Sequence, residues 1–576
     1  MMRKTFLTAA VLCCAAAQVV EKGSVKYNGF SRNGIEVWQN VPYAQDTSGE
    51  NRFKPPKTFV PEYNQVFDNT KPGPACPQSL GQLGVPLVVG NITETSEDCL
   101  NLNIARPSSK DVDYRTKKLP VMIWIHGGGF WSGENTEPTT QPDGMILESI
   151  EDKHPVMHVA INYRLGFFGF AQSDALKSEG SLNAGLRDQR LAIEWVRDNI
   201  AAWGGDSKSI TIYGQSSGGL AVGMQLLAYG GTKPLPYQHG ICESQALEPG
   251  ITGNFSIDSM EALVNYVGCN TTSLHSPETI SCLRKFDTKT LFNASEATKF
   301  NDIAHNIGDV WLPVVDGDFV PAPPSQLVRE GRFGNASYMI GWAEGDVNFY
   351  TDPSISSPED TTKFIQEYLP TMPASVVAEL LALYPASEFS PPSGTNLTAE
   401  FYRSARIFRD IIMTCQPIYL ADALQKKTKN VYLFDWNQTI LEPMIEALEN
   451  ISKIGVIHTS EFAYTNANFS AYNVSGLPLN PTPEDYQLQM RGSRTWAFFA
   501  NRGRMPTNSD TTLAMRGWKG AYEKEENNTA IYVIGGPNEG LWTFDGENST
   551  EVMEKQRLRE RCAFINSPKI IEYLQY

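Results

Sequence analysis

The sequence predicts an α/β fold with a large, mostly parallel central sheet flanked by helices. Short apolar runs typical of buried strands alternate with stretches whose apolar residues recur at helical spacing. Strands of a parallel sheet are covered by helices on both faces, so they appear as nearly continuous apolar runs. No repeat, low-complexity tract or linker divides the chain. We therefore expect a single domain over residues 18–576.

The elements that support this fold follow one another from the middle of the chain onward. The helix predicted at residues 184–200 carries Leu191, Ile193, Val196 and Ile200 at helical spacing. A second helix is predicted at residues 220–228. The predicted strands are at residues 119–125, 156–162, 210–213, 337–341 and 431–436.

The amino-acid composition indicates which kinds of binding partner to expect. Of the 576 residues, 41% are apolar and 19% are charged, which is an ordinary balance for a globular protein with a large core. The net charge is −16 and no basic run stands out. These features disfavour nucleic acid or an anionic membrane as a partner and leave a small molecule as the expected one.

The N-terminus has the pattern of a secretory signal peptide. Arg3 and Lys4 precede an apolar stretch, residues 5–14, and Ala15 to Ala17 provide a small-residue cleavage site. We expect residues 1–17 to be removed, although a buried N-terminal helix would give a similar pattern. No other run is long enough to span a membrane. The predicted location is extracellular.

Cysteines and glycosylation motifs agree with secretion. Without Cys13 and Cys14, seven of the nine cysteines remain, and an oxidising compartment favours their pairing. Twelve Asn-X-Ser/Thr sites predict a glycoprotein. Cys242 is expected to be a buried free thiol. The pairs expected are Cys76 with Cys99, Cys269 with Cys282, and Cys415 with Cys562.

The motif at residues 214–218, Gly-Gln-Ser-Ser-Gly, is the centre of the functional prediction. It follows a predicted strand and precedes a helix, which is the context of a nucleophile elbow. Small residues flank the serine because the turn is sharp. The motif predicts Ser216 as a nucleophile, whereas a simple Ser/Gly-rich turn is the structural alternative.

A glycine run upstream predicts an oxyanion hole. Residues 126–130, His-Gly-Gly-Gly-Phe, follow the predicted strand at residues 119–125. Glycines let backbone N–H groups approach a substrate oxygen. We assign the donors to Gly128, Gly129 and Ser217.

The base follows by elimination, since the order in α/β-hydrolases is serine, acid, histidine. Only His458 of the seven histidines follows the strand whose end should carry the acid. The acid is expected on the loop after residues 337–341. Glu344 and Asp346 both qualify there, and either could orient the imidazole.

The chain resembles the type-B carboxylesterase/lipase family, which includes the cholinesterases. The matching stretches extend from about residue 20 to 510. They are residues 51–56, 97–103, 126–130, 162–170, 186–190, 203–206, 214–218 and 455–461. The resemblance implies an α/β-hydrolase fold and serine esterase activity, with no metal and no organic cofactor.

The resemblance also implies particular residue roles. It places the triad acid on Asp346, although Val347 stands where the family has glycine and Glu344 stays an alternative. It implies the disulfides Cys76–Cys99 and Cys269–Cys282. It further implies two buried structural ion pairs, Arg52–Glu97 and Arg164–Asp188.

Departures from the family pattern narrow the substrate. Cholinesterases carry Glu before the serine, and this chain has Gln215. No aromatic residue lies between Cys76 and Cys99, where cholinesterases place a tryptophan that binds quaternary ammonium. The same loop is short, which disfavours a large lipase lid. A neutral carboxylic ester is the expected substrate.

Two other functions stay open. The first is a lipase or sterol esterase. The second, from a different class, is a catalytically inactive adhesion protein, which would typically lack a triad residue and carry a membrane anchor.

Overall fold

A computed structural model describes residues 18–82, 84–247, 249–299, 310–428, 430–474, 476–522 and 529–576. The predicted signal peptide, residues 1–17, and one predicted glycosylation site, Asn527, lie outside these ranges. Within these ranges no helix is both long enough and apolar enough to cross a membrane.

Most strands belong to one large mixed sheet. Their order is β1-β2-β3-β7-β9-β8-β10-β11-β12-β13-β14-β15, and β4 pairs with β2. The seven strands from β9 to β14 in this order are parallel to one another, and the strands at both edges are antiparallel. The strands are β1 Gln18–Lys22, β2 Val25–Arg32, β3 Ile35–Pro42, β4 Val66–Asp68, β5 Gly81–Gln82, β6 Asn91–Ile92, β7 Asn101–Pro107, β8 Leu119–Ile125, β9 Met157–Ile161, β10 Gly205–Gln215, β11 His239–Glu243, β12 Ser337–Ala343, β13 Val431–Trp436, β14 Ala530–Ile534 and β15 Gly540–Thr543.

Helices occupy the connections between strands. They are α1 Asp143–Glu151, α2 Gly166–Phe170, α3 Asp174–Ser178, α4 Ala184–Asn199, α5 Ser217–Leu227, α6 Phe255–Tyr266, α7 Pro277–Arg284, α8 Thr288–Lys299, α9 Pro324–Arg329, α10 Pro358–Tyr368, α11 Ala374–Ala382, α12 Ala399–Arg409, α13 Cys415–Leu424, α14 Glu442–Glu449, α15 Phe462–Thr465, α16 Pro483–Arg502, α17 Glu551–Gln556, α18 Leu558–Ile565 and α19 Pro568–Leu574. A π-helical turn, Asp410–Thr414, joins α12 to α13.

The core lies on both faces of the sheet, as the apolar strand sequences indicate. Along β8, Val121 and Ile123 belong to one buried apolar cluster. Met122 and Trp124, which point to the opposite face, belong to the other. The sequence-based prediction of an α/β fold with a mostly parallel, helix-covered sheet is confirmed.

The predicted elements have the expected type, with shifted ends. Strand β10 begins at Gly205 rather than at residue 210, because an irregularity in its pairing with β8 admits a polar stretch that has no apolar strand pattern. Helix α5 begins at Ser217 rather than at residue 220, since Gly218 and Gly219 give no helical signal and are held by tertiary packing.

The expected covalent and ionic links are present. The structure contains disulfides between Cys76 and Cys99, Cys269 and Cys282, and Cys415 and Cys562. Cys242 is a buried free thiol. The two implied ion pairs are also buried, with N–O distances of 2.6 Å for Arg52–Glu97 and 2.7 Å for Arg164–Asp188.

Candidate active site

Ser216 lies on a sharp turn between β10 and α5. Its backbone has φ 61° and ψ −129°, a conformation that costs energy in a residue with a side chain and that is common at functional sites. A Cβ on Gly214 would come within 2.5 Å of the Ile125 carbonyl oxygen, and a Cβ on Gly218 would clash with the same atom. The two motif glycines therefore let the elbow approach β8.

The glycine run forms a second turn beside the elbow. The Phe130 N–H donates to Ser217 Oγ at 3.2 Å, which ties the two turns together. The N–H groups of Gly128 and Gly129 have no acceptor within the described part of the chain, and both residues line the cavity above Ser216. Ser217 is the first residue of α5, so its N–H has no partner within the helix.

His458 and Asp346 come from loops that follow different strands and meet at the same site. His458 Nδ1 hydrogen-bonds Asp346 Oδ1, and the His458 N–H donates to the Asp346 carbonyl at 3.2 Å. The other Asp346 oxygen accepts from the Ala343 N–H at 3.0 Å. Both side chains are buried, so this arrangement fixes the carboxylate and the imidazole ring.

Glu344, the alternative acid, points elsewhere. Its carboxylate pairs with Arg406 at 2.5 Å, and its carbonyl accepts from Arg409 Nη1 at 2.9 Å. It makes no hydrogen bond to His458 among the described residues. The structure therefore brings Asp346, and not Glu344, to the imidazole.

The predicted nucleophile, Ser216, and the predicted base, His458, are not hydrogen-bonded to each other. No bond joins Ser216 Oγ to His458 in the described chain. Instead Gln215 Nε2 lies 3.0 Å from His458 Nε2. Catalytic contacts are often long in unliganded enzymes and tighten when substrate binds.

Two buried carboxyl groups near the histidine were missed by the sequence analysis. Glu461, three residues after His458, has no hydrogen-bond partner for either carboxyl oxygen within the described residues. Burial, followed by the charges of Glu243 and Asp346, raises the pKa of Glu461 well above its ordinary value. Burial likewise raises the pKa of Glu243, which accepts a hydrogen bond from Trp496 Nε1 at 2.5 Å. Residue spacing and composition do not reveal that either carboxyl group is buried, because that burial depends on tertiary packing.

The His126 side chain has a packing role rather than a catalytic one. Its ring stacks on Tyr163 with a centroid distance of 4.4 Å. Burial lowers the pKa of His126 to about 4, so the ring is neutral at physiological pH. The ring therefore places no positive charge beside the turn formed by residues 126–130.

A cavity of about 300 Å³ lies above Ser216. Its wall is mainly apolar, and its polar part consists of the site residues, two glutamates and the hydroxyl side chains of Ser132, Thr140 and Thr459. The apolar and aromatic side chains that line it are Leu87, Val88, Ile92, Trp124, Trp131, Phe349, Tyr350, Met413 and Phe462. Such a cavity suits an uncharged ligand group next to a polar reacting centre.

Part of this wall comes from the loop that Cys76 and Cys99 close. We call residues 84–92 the flap. The Glu137 carboxylate accepts from the N–H groups of Val89 and Gly90 at 3.0 and 2.9 Å, and from the Thr139 hydroxyl at 2.8 Å. A Cβ on Gly90 would clash with this carboxylate. The loop is short, as the sequence indicates, and Glu137 holds the flap in place as part of the cavity wall.

Comparisons with known proteins show which family the chain belongs to. The model of the carboxylesterase family matches residues 19–555. The chain therefore belongs to the carboxylesterase family, and it is a carboxylic ester hydrolase.

Particular relatives and solved structures are similar over most of the chain. A secreted lipase of Arthroderma benhamiae is 47% identical, and the match covers 99% of this chain and 98% of that protein. A para-nitrobenzyl esterase of Bacillus subtilis is 32% identical over 73% of this chain and 79% of that protein. The crystal structure of EstA from Aspergillus niger superimposes with a TM-score of 0.72 at 23% identity, covering 97% of this chain and 99% of that one.

Proposed function

We propose that this protein is a secreted hydrolase of neutral carboxylic esters that acts through an acyl-enzyme intermediate. Ser216 is the nucleophile, His458 the base and Asp346 the acid that orients the imidazole. The observation that carries the proposal is that Ser216 and His458, from separate loops, line one mainly apolar cavity, while Asp346, from a third loop, binds the His458 imidazole. No cofactor takes part in this mechanism.

The geometry supports a two-step acyl transfer. His458 takes the Ser216 proton as Oγ attacks the ester carbonyl carbon, and it returns the proton to the departing alcohol. Water then attacks the acyl-enzyme by the same route and releases the carboxylic acid. The free N–H groups of Gly128, Gly129 and Ser217 stabilise the oxygen anion in both steps.

The cavity wall supports a neutral substrate. The flap contributes aliphatic side chains, Leu87, Val88 and Ile92, where a quaternary ammonium site would need an aromatic face. Glu134 and Glu137 also line the cavity, and their carboxylates would repel an anionic ester.

A lipase is the second candidate, and relatives favour it. Besides the relative from Arthroderma benhamiae, a protein called Lipase 1 from Geotrichum candidum is 29% identical over 81% of this chain and 87% of that protein. The flap forms part of the cavity wall, and we expect long acyl chains to need it to move. Hydrolysis of p-nitrophenyl esters from acetate to palmitate distinguishes the two. We expect the highest kcat/KM for short and medium chains, and a maximum at palmitate would favour the lipase.

A catalytically inactive protein is the remaining alternative. One relative, VdtD of Byssochlamys spectabilis, is named an inactive carboxylesterase-like protein and is 32% identical over 94% of this chain and 93% of that protein. The intact set of Ser216, His458 and Asp346 in this chain supports activity. Absence of hydrolysis across the whole ester panel would contradict the proposal.

Secretion has independent support from the disulfides. Three of them, described above, need an oxidising compartment to persist. Expression in a eukaryotic host should release the protein into the medium with Gln18 as its first residue. N-terminal sequencing of the released protein tests the cleavage site.

A further inference from the structure

Gln215, the residue before the nucleophile, lies against the catalytic base. It ends β10, and its side chain is buried in the wall of the cavity. Its Nε2 atom lies 3.0 Å from His458 Nε2. This is the nitrogen that Ser216 Oγ must reach in the proposed reaction.

The position of the histidine proton follows from the neighbouring carboxylate. An ionised Asp346 can only accept hydrogen bonds, so His458 Nδ1 carries the proton. In the neutral ring, Nε2 then has a lone pair and no proton. The Gln215 amide can therefore donate an N–H to Nε2, and while it does so it occupies the acceptor for the Ser216 hydroxyl.

We infer that Gln215 is a positioning residue that keeps His458 neutral and its Nε2 occupied in the resting enzyme. The inference rests on the roles proposed for Ser216 and His458. A donor on the lone pair stabilises the neutral ring and disfavours the imidazolium. Gln215 thus extends activity toward acidic pH and slows the attack of Ser216.

The amide must move during each turnover. When His458 takes the Ser216 proton, Nε2 becomes a donor and repels the Gln215 NH₂ group. The amide then has to rotate away or present its oxygen. Proton return to the leaving group restores the resting contact.

Several other ionisable groups lie near the His458 imidazole. The variants described below leave these groups unchanged, so their effect on the imidazole is the same in each variant. Asp346 binds Nδ1, and the Tyr350 ring lies edge-on to the imidazole at 5.6 Å between centroids. The remaining groups lie on the neighbouring loops and across the cavity. They are Glu461, Glu243, His126, Glu134 and Glu137.

Replacement of the amide by a side chain of similar length tests the inference. The rate at which a p-nitrophenyl phosphonate labels Ser216 is measured from pH 4.5 to 8.5 for the full-length enzyme. We expect Gln215→Met to react about fivefold faster on the high-pH plateau, the value of one ordinary hydrogen bond. The acid limb of the pH–rate profile should move upward by about 0.7 pH unit, because a fivefold change in the ionisation constant corresponds to that shift.

Gln245 offers a matched control. It is also buried beside α5, and its Nε2 donates to Gln416 Oε1 at 3.2 Å rather than to a site residue. We expect Gln245→Met to leave both the plateau rate and the acid limb within twofold of the wild type. A loss of folding would reduce labelling in both variants, so a faster Gln215→Met cannot arise from it.

A second variant changes the charge. Gln215→Glu places a carboxylate beside Nε2, where it favours the imidazolium and cannot donate to the neutral ring. The acid limb should move upward by more than one pH unit, further than in Gln215→Met. A merely structural role for residue 215 would leave the limb in place.

The outcomes separate the two hypotheses. A labelled wild type whose acid limb is unmoved in both Gln215 variants, with Gln215→Met no faster than Gln245→Met, would overturn the role of Gln215 alone. A wild-type enzyme that the phosphonate does not label at Ser216 would overturn the proposed function, and this inference with it.

Discussion

Asp346 and Glu344 stand two residues apart on one loop, and their carboxyl groups face opposite sides. Asp346 is buried against His458, whereas Glu344 is part-exposed and pairs with Arg406. The side chains diverge because the loop turns tightly here, with the Asp346 N–H donating to the Ala343 carbonyl at 3.2 Å. We therefore expect the two carboxylates to differ in their contribution to catalysis.

Loss of the Asp346 carboxylate should stop catalysis. Asp346→Asn removes the acceptor that fixes the imidazole tautomer, and we expect kcat to fall by about 10⁴-fold. Glu344→Gln should change kcat by less than about threefold, because that carboxylate lies on the outer side of the loop. Steady-state hydrolysis of p-nitrophenyl butyrate measures both, and thermal unfolding checks that each variant is folded. A large loss of activity in Glu344→Gln, together with an active Asp346→Asn, would contradict the assignment of Asp346 as the acid.

Glu461 predicts a pH dependence of stability. The raised pKa of Glu461 means that the folded protein holds a proton that the unfolded chain releases above about pH 4.3. Stability therefore falls as pH rises above that value, by up to ~1.4 kcal/mol per pH unit, until the folded-state pKa is reached. Glu461→Gln carries no such proton, so its stability relative to the wild type should rise between pH 5 and 7.

Chemical denaturation at several pH values measures this difference. The exposed Glu446 provides a control, since Glu446→Gln should show a constant difference from the wild type over the same range. A Glu461→Gln variant whose relative stability does not change with pH would show that the carboxyl ionises freely in the folded protein.

Candidate residues could be predicted from the sequence where they belong to local motifs. The Gly-x-Ser-x-Gly motif and the glycine run mark Ser216, Gly128 and Gly129, because sharp turns need small neighbours, and their catalytic roles stay a prediction. The choice between Asp346 and Glu344 needed the resemblance, since spacing alone leaves both open. The contact between Gln215 and His458 was not readable, because it joins residues 243 positions apart.

Strands and helices were predicted in type but less well in extent. Strand β8 and strand β13 have the predicted bounds, since both are unbroken apolar runs between turn residues. Strand β10 and helix α5 begin earlier than predicted, because pairing and packing stabilise residues without a local signal. The position of the flap in the cavity wall was not predicted, since its sequence has no helical or strand periodicity.

The Glu137 carboxylate holds the flap through hydrogen bonds to the flap backbone. Glu137→Gln replaces one accepting oxygen by a donor, so at least one of the Val89 and Gly90 N–H groups loses its acceptor. We expect amide exchange in residues 84–92 to become at least tenfold faster, and KM for p-nitrophenyl butyrate to rise. Hydrogen–deuterium exchange with mass spectrometry measures the first effect.

Glu134 is the control for this prediction. It also lines the cavity, but it makes no hydrogen bond to the flap within the described residues. Glu134→Gln should leave flap exchange unchanged. Equal exchange in both variants and the wild type would mean that the disulfide and side-chain packing hold the flap without Glu137.

At the scale of the whole molecule, the disulfides differ in the length of chain they close. Cys415–Cys562 spans 147 residues and ties α13 to the C-terminal helices, whereas Cys269–Cys282 spans 13 residues. Chain entropy predicts that removing the long link costs about 5 kcal/mol and removing the short one about 3 kcal/mol. Guanidinium denaturation of the two double Cys→Ser variants compares them, and a smaller loss for the long link would contradict this ordering.

The proposed mechanism requires Ser216 to be the residue that becomes acylated. Reaction of the purified enzyme with a p-nitrophenyl phosphonate, followed by peptide mass spectrometry, tests this most directly. We predict one phosphonyl group per chain, on Ser216, with hydrolysis lost in parallel with labelling, and no labelling or hydrolysis in Ser216→Ala. Labelling of another residue with activity lost, or a Ser216→Ala variant that still hydrolyses esters at the wild-type rate, would contradict it.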